Sequence, residues 1–470
     1  MVGDFSRQPA YLGLAERLRV LIGDGRIGLG VRLPSERQLT QALELSRTTV
    51  TRAYETLREQ GFAELRRGSG TFTRVPGGLA RAHDRSLLPA EADRDTIDLN
   101  CAAPSAPPGL SEAFARAAEQ LPAYLSGPAY FPMGEPGLQA RIAASYEARG
   151  VPTTPGQIMV TSGALSGAAI VAKAFAGSGL RALVESPTYP NATQAMSHAG
   201  ARLVPFAIDD AGWDLDSFAA TVRQSAPRLA YLVPDFQNPT GHLMPDDQRE
   251  RLATILASGR VTPVIDEAHQ ALALEPGLAE AMPSPFARFS KQAITLGSAS
   301  KAYWGGLRIG WIRAPAEMMP RLLRARISTD LGSPVMEQLV LVQLLDHADD
   351  VLPGNRRRLR ASRDALVEGV AQYLPSWRFR VPTGGLALWC ELPSPTATAT
   401  SALAEQRGVI VAPGPVFAVE GGLNRFIRIP WTSEPDVLVE ATRRVAQAWS
   451  EIDSAQGQAP TRDPSRVLIA

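Results

Sequence analysis

Cysteine, lysine and long apolar runs are what this sequence has least of. Its two cysteines, Cys101 and Cys390, lie far apart and outside any CxxC or Cys/His cluster. A disulfide framework and a metal site are therefore not expected, and a reducing cytoplasm is the simplest setting. No apolar run reaches the roughly 18 residues needed to cross a membrane. The first residues lack a basic start followed by an apolar segment, so no export signal is expected. Lysine occurs three times, at 173, 291 and 301, among 48 Lys and Arg. A lysine amine forms an imine with an aldehyde and an arginine does not, so each of the three invites a reason.

The remaining composition is that of an ordinary soluble protein: 470 residues with 45% hydrophobic, enough for two to four domains. The net charge of +1 hides an asymmetry, because residues 1–75 hold twelve Arg, no Lys and eight acids, a net of +4 against −3 for the rest. A basic end suits a phosphate partner.

Residues 11–24 carry Leu14, Leu18, Leu21 and Ile22 at helical spacing. After a Gly/Pro-marked turn, Ser35-Glu36-Arg37-Gln38 predicts a capping box and a helix burying Leu39, Ala42 and Leu43. Ser46 opens a further helix with Val50, Ala53, Tyr54 and Leu57 inward and Gly61 at its end. Two strand-like runs, Phe62–Leu65 and Thr71–Val75, flank Arg66-Arg67-Gly68-Ser69-Gly70. This is the pattern of a winged helix-turn-helix, whose second paired helix enters the major groove of double-stranded DNA. Arg47, Thr48, Thr49 and Arg52 would face bases and phosphates there, with Arg37 beside them and Arg67 and Ser69 on the wing.

Residues 76–96 read as a linker and 453–470 as a disordered tail. Between them, β-rich runs alternate with helical segments: Ile158–Thr161, Ala182–Glu185, Leu203–Ile208, Leu229–Val233, Pro263–Ile265, Ala293–Leu296 and Ile309–Arg313. That predicts an α/β domain with a mostly parallel sheet over about 97–315. Helices and short strands after it predict a smaller α+β part over about 316–452.

Ser298-Ala299-Ser300-Lys301 follows one of these runs, with Gly305-Gly306-Leu307-Arg308 just after. An amine beside hydroxyls and a guanidinium suits a phosphorylated aldehyde; a surface lysine in a small-residue loop is equally compatible with SxSK alone. Asp266 ends a strand-like run, where a carboxylate points into the ligand crevice of α/β folds or caps a helix. Asn238 lies in a turn-like Gln237-Asn238-Pro239-Thr240-Gly241, and Ser162-Gly163-Ala164 opens a helical stretch suited to a phosphate. Tyr189 is able to stack on a ring, though an isolated aromatic more often packs.

The strings PDFQNPTG, DEAH, SASK and GGLRIGW occur in the order seen in fold type I pyridoxal phosphate (PLP) enzymes of the aspartate-aminotransferase type. Leu33-Pro34-Ser35-Glu36-Arg37 and Arg47-Thr48-Thr49-Val50 resemble a GntR winged helix, and the spacing from Lys301 to Arg308 resembles the MocR branch of that family. The resemblance runs from residue 9 to about 450. It implies Lys301 as the Schiff-base lysine, Asp266 as partner of the pyridine nitrogen, Asn238 at O3′ and Tyr189 on the ring. It implies a phosphate site of Ser162, Gly163, Ala164, Ser298, Ser300 and Arg308, with Tyr130 reaching the neighbouring subunit of a homodimer. Arg428 resembles the arginine that grips an amino-acid carboxylate. One departure is His269, where such aminotransferases usually place a tyrosine that donates to O3′; a neutral imidazole can donate too, but its pKa is near neutrality. Leu165 and Gln139 also replace more polar residues. The resemblance thus implies a regulator that reads paired DNA half-sites and senses PLP or an amino compound. A working aminotransferase with an accessory DNA-binding module is the alternative.

Overall fold

The computed structural model describes residues 9–457 apart from 25, 67, 77–95, 176 and 178. Almost all of the expected linker and residues 458–470 of the expected tail lie outside the described residues.

Helix α1 (Ala10–Gly23) buries Leu14, Leu18, Leu21 and Ile22. Helix α2 (Glu36–Leu43) begins at the capping box: the Gln38 N–H donates to Ser35 Oγ at 3.3 Å and the Ser35 N–H donates to Gln38 Oε1 at 2.9 Å. Such a cap contributes about 1 kcal/mol. Of the three residues expected to be buried on α2, only Leu39 is; Leu43 is half-buried and Ala42 is exposed. A two-turn helix packed mainly on one neighbour buries only a narrow stripe. Helix α3 (Arg47–Glu59) buries Val50, Ala53, Tyr54 and Leu57, and the Tyr54 hydroxyl donates to the Pro34 carbonyl at 2.7 Å, fixing α3 to the turn before α2. Strands β1 (Ala63–Arg66) and β2 (Gly70–Thr73) form the antiparallel wing.

The chain next forms β3 (Ile97–Asp98) and then the large part. Its sheet holds β4 (Ile158–Thr161), β5 (Arg181–Ser186), β6 (Arg202–Asp209), β7 (Gly212–Trp213), β8 (Leu229–Leu232), β9 (Thr262–Asp266), β10 (Ile294–Ser298) and β11 (Gly310–Arg313). The order is β4-β11-β10-β9-β8-β5-β6-β7. Strands β5, β6, β8, β9 and β10 run parallel, and β11 is antiparallel to both its neighbours. Every residue of β4, β8 and β10 is buried, because helices cover both faces; such strands read as continuous apolar runs.

The small part has a four-stranded sheet, β12 (Arg378–Phe379), β13 (Ala387–Glu391), β15 (Ala412–Pro413) and β16 (Phe426–Pro430), while β14 (Val409–Ile410) pairs instead with β3. Residues 97–98, expected in the large part, thus belong by pairing to the small one. The final helix, Pro435–Gly457, runs past the expected boundary at 452; extending a packed helix adds one hydrogen bond per residue fixed and needs no new core contact.

The winged helix docks on the small part. Ala402, on helix Ala397–Gln406, is buried in the same apolar cluster as Leu14, Leu18 and Ile22. Thr398 Oγ1 donates to the Gly23 carbonyl at 2.8 Å, and the Gly422 N–H donates to the Asp24 carbonyl at 3.2 Å.

Candidate functional site

The C-terminal ends of β4, β5, β8, β9 and β10 open on one crevice, where diverging connections in a parallel sheet leave room for a ligand. The segments that follow them bring Gly163, Ala164, Leu165, Tyr189, Asn238, Asp266, His269, Ser298, Ser300 and Lys301 into one cavity, completed by Arg308 and, from β16, Arg428. The loop bearing Asn238 is held by a buried ion pair, Arg249 to Asp235 at 2.6 Å.

Lys301 Nζ donates to the Ala102 carbonyl at 2.7 Å. Burial pulls its pKa below the ordinary lysine value, which favours the neutral amine that attacks a carbonyl. Asp266 accepts from the Tyr231 hydroxyl at 2.6 Å and from the Ala268 N–H at 2.9 Å. Burial pushes its carboxyl upward even so. A protonated ring nitrogen at this carboxylate would supply the cation that desolvation leaves wanting.

Gly163, Ala164 at the start of helix Ala164–Phe175, Ser298, Ser300 and Arg308 surround one end of the cavity. Arg308 Nη2 donates to the Ser162 carbonyl at 3.0 Å. Gly163 has φ +91°, and a Cβ there would stand 2.8 Å from Arg308 Nη2. The glycine lets the guanidinium close over the backbone. Amides, hydroxyls and a guanidinium are the donor set of a phosphate seat. Ser162 does not line the cavity; it supplies the carbonyl that orients Arg308, and its hydroxyl lies 3.5 Å from that of Ser333.

Arg428 is 1% exposed. It donates from Nη1 to Asn238 Oδ1 at 3.3 Å and from Nη2 to the Asn100 carbonyl, and its guanidinium lies 4.9 Å from the Phe417 ring centroid. Burial pulls its pKa down to about 10, and Nε is buried with no partner. A buried guanidinium short of acceptors suits a carboxylate. Tyr189 is half-buried, its hydroxyl pushed up to about 12 by burial first and the Asp266 charge second.

His269 lines the cavity as expected, with its protonation fixed by the fold. Its Nδ1 lies 3.0 Å from the Phe236 carbonyl, and a carbonyl only accepts, so Nδ1 carries the proton. Burial, with help from the Lys301 charge, pushes the imidazole down to about 4. The neutral ring then holds a lone pair on Nε2, an acceptor where the family's tyrosine is a donor. Tyr130 is 67% exposed and lies outside its own chain's cavity. Gln139 donates to the carbonyls of Ile158, Met133 and Pro155, a support for the start of β4.

The sequence reading missed Asn100, Cys101 and Ala102, which line the cavity from an irregular segment after β3; only the pairing of β3 with β14 brings them there. It also missed Tyr231 beneath Asp266, one tyrosine in a strand buried on both faces.

On the winged helix, Arg37, Arg47, Thr48, Arg52 and Ser69 are exposed. Arg47 is 83% exposed, with Nε 4.0 Å from Glu36. Thr49 is half-buried and takes part in the cap, its Oγ1 2.8 Å from Ser46 Oγ, which leaves it less free to reach a base. The Arg52 guanidinium lies 5.4 Å from the Tyr11 ring centroid. Arg67 lies outside the described residues. Arg32 was not foreseen: it bridges to Phe72 and packs against Gly70 at the wing. Among the described residues there is no His, Cys, Asp and Glu cluster fit for a metal, and no helix long and apolar enough to cross a membrane.

Residues 102–445 match the aminotransferase class I and II family, and residues 10–73 match the bacterial regulatory proteins of the gntR family. An HTH-type transcriptional regulator of Bacillus subtilis, YisV, is 27% identical, over 81% of this chain and 84% of the relative. The HTH-type regulator TauR of Rhodobacter capsulatus is 25% identical over 93% and 96%. The 2-aminoadipate transaminase of Thermus thermophilus is 30% identical over 65% of this chain and 78% of that enzyme. The crystal structure of LysN, the α-aminoadipate aminotransferase of Thermus thermophilus complexed with N-(5′-phosphopyridoxyl)-L-leucine, superposes with a TM-score of 0.70 at 26% identity, covering 80% of this chain and 98% of LysN. The chain therefore belongs to the MocR-type regulators of the GntR family, in which a DNA-binding winged helix-turn-helix is fused to a class I and II aminotransferase domain of the aspartate-aminotransferase fold.

Proposed function

We propose that this regulator holds PLP on Lys301 and shifts its DNA-binding module when PLP or an amino compound occupies the cavity. The observation that carries the reading is the convergence of Lys301, Asp266, Asn238, Arg308 and Arg428 on one crevice. They fit the group chemically: an amine for its aldehyde, a buried carboxylate for its ring nitrogen, a guanidinium-and-amide cradle for its phosphate. When bound, PLP supplies an electrophilic carbon and an electron-withdrawing ring. Lys301 anchors it, Tyr189 covers the ring, and Arg428 orients the carboxylate of an incoming amino acid.

A ligand at Arg428 has a short route to the DNA module. Arg428 lies on β16, and Asn424 just before that strand accepts from the Thr398 N–H at 2.8 Å; the Thr398 hydroxyl lies within reach of both Asn424 Oδ1 and the Gly23 carbonyl, with one proton to share between them. Thr398 bonds Gly23 at the end of α1. A ligand that favours one placement of the small part would then favour one placement of the winged helix, as population shift requires.

A homodimer accords with Leu125, Tyr130, Ile327 and Leu331, large apolar residues exposed on the monomer; Phe131 packs on Gly332, so Tyr130 and Leu331 share one surface region. Two winged helices would read paired half-sites, in the cytoplasm where DNA is at hand. Turnover as an aminotransferase is the second reading, favoured by the 30% identity to a transaminase.

The test is reconstitution with PLP, borohydride reduction and peptide mass mapping. A pyridoxyl mass on the Lys301 peptide, absent in Lys301→Ala, supports the reading; an unmodified Lys301 at saturating PLP overturns it. Steady interconversion of amino and keto acids at ordinary enzyme rates would favour the second reading.

A further inference from the structure

We propose that His269 accepts a hydrogen bond from the cofactor's 3-hydroxyl and holds that hydroxyl in its protonated, neutral form. The proposal rests on the PLP reading above and concerns this chain's own donor and acceptor inventory. In PLP the ring nitrogen lies opposite the aldehyde carbon, and the hydroxyl and the phosphate arm flank that carbon on either side. With the aldehyde carbon at Lys301, the nitrogen at Asp266 and the phosphate at Ser298, Ser300 and Arg308, the hydroxyl is left the side opposite the phosphate. The polar side chains of the cavity not yet used are Asn100, Cys101, Asn238, His269 and Arg428; Asn100 and Cys101 belong to the segment that meets Lys301 through the Ala102 carbonyl, and Arg428 is directed to Asn238 and the Asn100 carbonyl.

The two that remain differ in kind. Asn238 Oδ1 accepts from Arg428 Nη1 at 3.3 Å, so this residue turns its NH2 to a ligand and donates. His269 is locked the other way. Its Nδ1–H donates to the Phe236 carbonyl at 3.0 Å, and the ring is 8% exposed. Neutral imidazole has one N–H, so Nε2 only accepts. One donor and one acceptor complement a neutral hydroxyl. A phenolate calls for two donors, and facing a lone pair it would be repelled. The consequence is a ring with less negative charge beside the imine, a state suited to holding an amine and poorly suited to turning it over.

The wild-type protein loaded with PLP is read in three ways. Borohydride trapping at Lys301 first measures whether the imine forms, and its absence overturns the cofactor reading separately. Given trapping, the proposal expects the near-ultraviolet band of the neutral hydroxyl form to dominate the visible band of the phenolate form. His269→Tyr, which restores a donor, should raise the visible-to-near-ultraviolet ratio by about tenfold, the effect of one charge-assisted hydrogen bond of ~1.4 kcal/mol. A dominant visible band in the wild type, unchanged in His269→Tyr, overturns the proposal. Nitrogen-15 NMR of the histidine-labelled wild type needs no variant. The proposal expects a protonated Nδ1 and a bare Nε2 whose signal moves on PLP addition, and a protonated Nε2 overturns it.

Discussion

Replacing Gly163 by alanine should weaken PLP binding while leaving the fold largely intact. The residue sits at φ +91°, and the added Cβ would stand 2.8 Å from Arg308 Nη2 and 3.4 Å from its Cζ. The first distance is shorter than real contacts allow, so the guanidinium must swing away. It then gives up its bond to the Ser162 carbonyl, now 3.0 Å, and its place at the end of the cavity proposed to seat the phosphate. A hydrogen bond to a charged group contributes about 1.5–3 kcal/mol, which converts to roughly 10- to 150-fold in dissociation constant. The left-handed backbone adds a strain of roughly 1–2 kcal/mol for any side chain, and that strain acts on apoprotein and holoprotein alike. Gly179 separates the two effects: it has φ +82°, and a Cβ added there would meet nothing within 4 Å. Equilibrium dialysis of PLP against wild type, Gly163→Ala and Gly179→Ala, with urea unfolding of each apoprotein, is the assay. The expected result is a similar loss of stability in both variants and weaker PLP binding in Gly163→Ala alone. Equal PLP affinity in all three proteins would refute the role assigned to Arg308.

Other outcomes follow from the same structure. Arg47→Ala should weaken binding to operator DNA, and if Arg47 contacts a phosphate, the slope of log K against log salt should fall in magnitude by about 0.9; an unchanged slope and affinity in a salt titration would remove Arg47 from the interface. Arg249→Ala should destabilise the large part by about 3–5 kcal/mol in urea, because it strands the carboxylate of Asp235, 1% exposed in its side chain. The pKa of His269 is pushed from 6.5 to about 4, so the unfolded chain binds its proton first. Its stabilising contribution is whole above pH 6.5, falls as pH drops towards 4 and is lost below that. Apo His269→Phe should therefore lose less stability than wild type on acidification through that window. Glu185, pushed up to about 7, acts in the opposite sense between 4.5 and 7, but it is present in both proteins and cancels from the comparison.

Much of the architecture is legible in the sequence for a physical reason. The central strands are buried on both faces and so are written as unbroken apolar runs, and the Ser35 and Ser46 caps announce two of the three DNA-module helices. Short pieces such as β3 and β15 carry no period, and only their partners define them. The same holds for the site. Lys301, Asp266 and Asn238 stand in strings whose order is diagnostic, whereas Ala102 meets Lys301 across 199 positions of chain through a two-residue strand pair. His269 shows the limit most clearly. Its residue type is read directly, but which nitrogen carries the proton depends on the Phe236 carbonyl, and that bond exists only in the fold.

The central claim is that occupancy of the Lys301 cavity governs DNA binding. Fluorescence anisotropy on DNA from upstream of its own gene, at fixed salt, with and without PLP, in wild type and Lys301→Ala, tests it most directly. PLP is expected to change wild-type affinity by roughly 5- to 150-fold, the usual range of coupling between sites, and to leave Lys301→Ala unaffected. Wild-type binding that is specific for this DNA yet identical with and without PLP, or the same PLP response in Lys301→Ala, would contradict it.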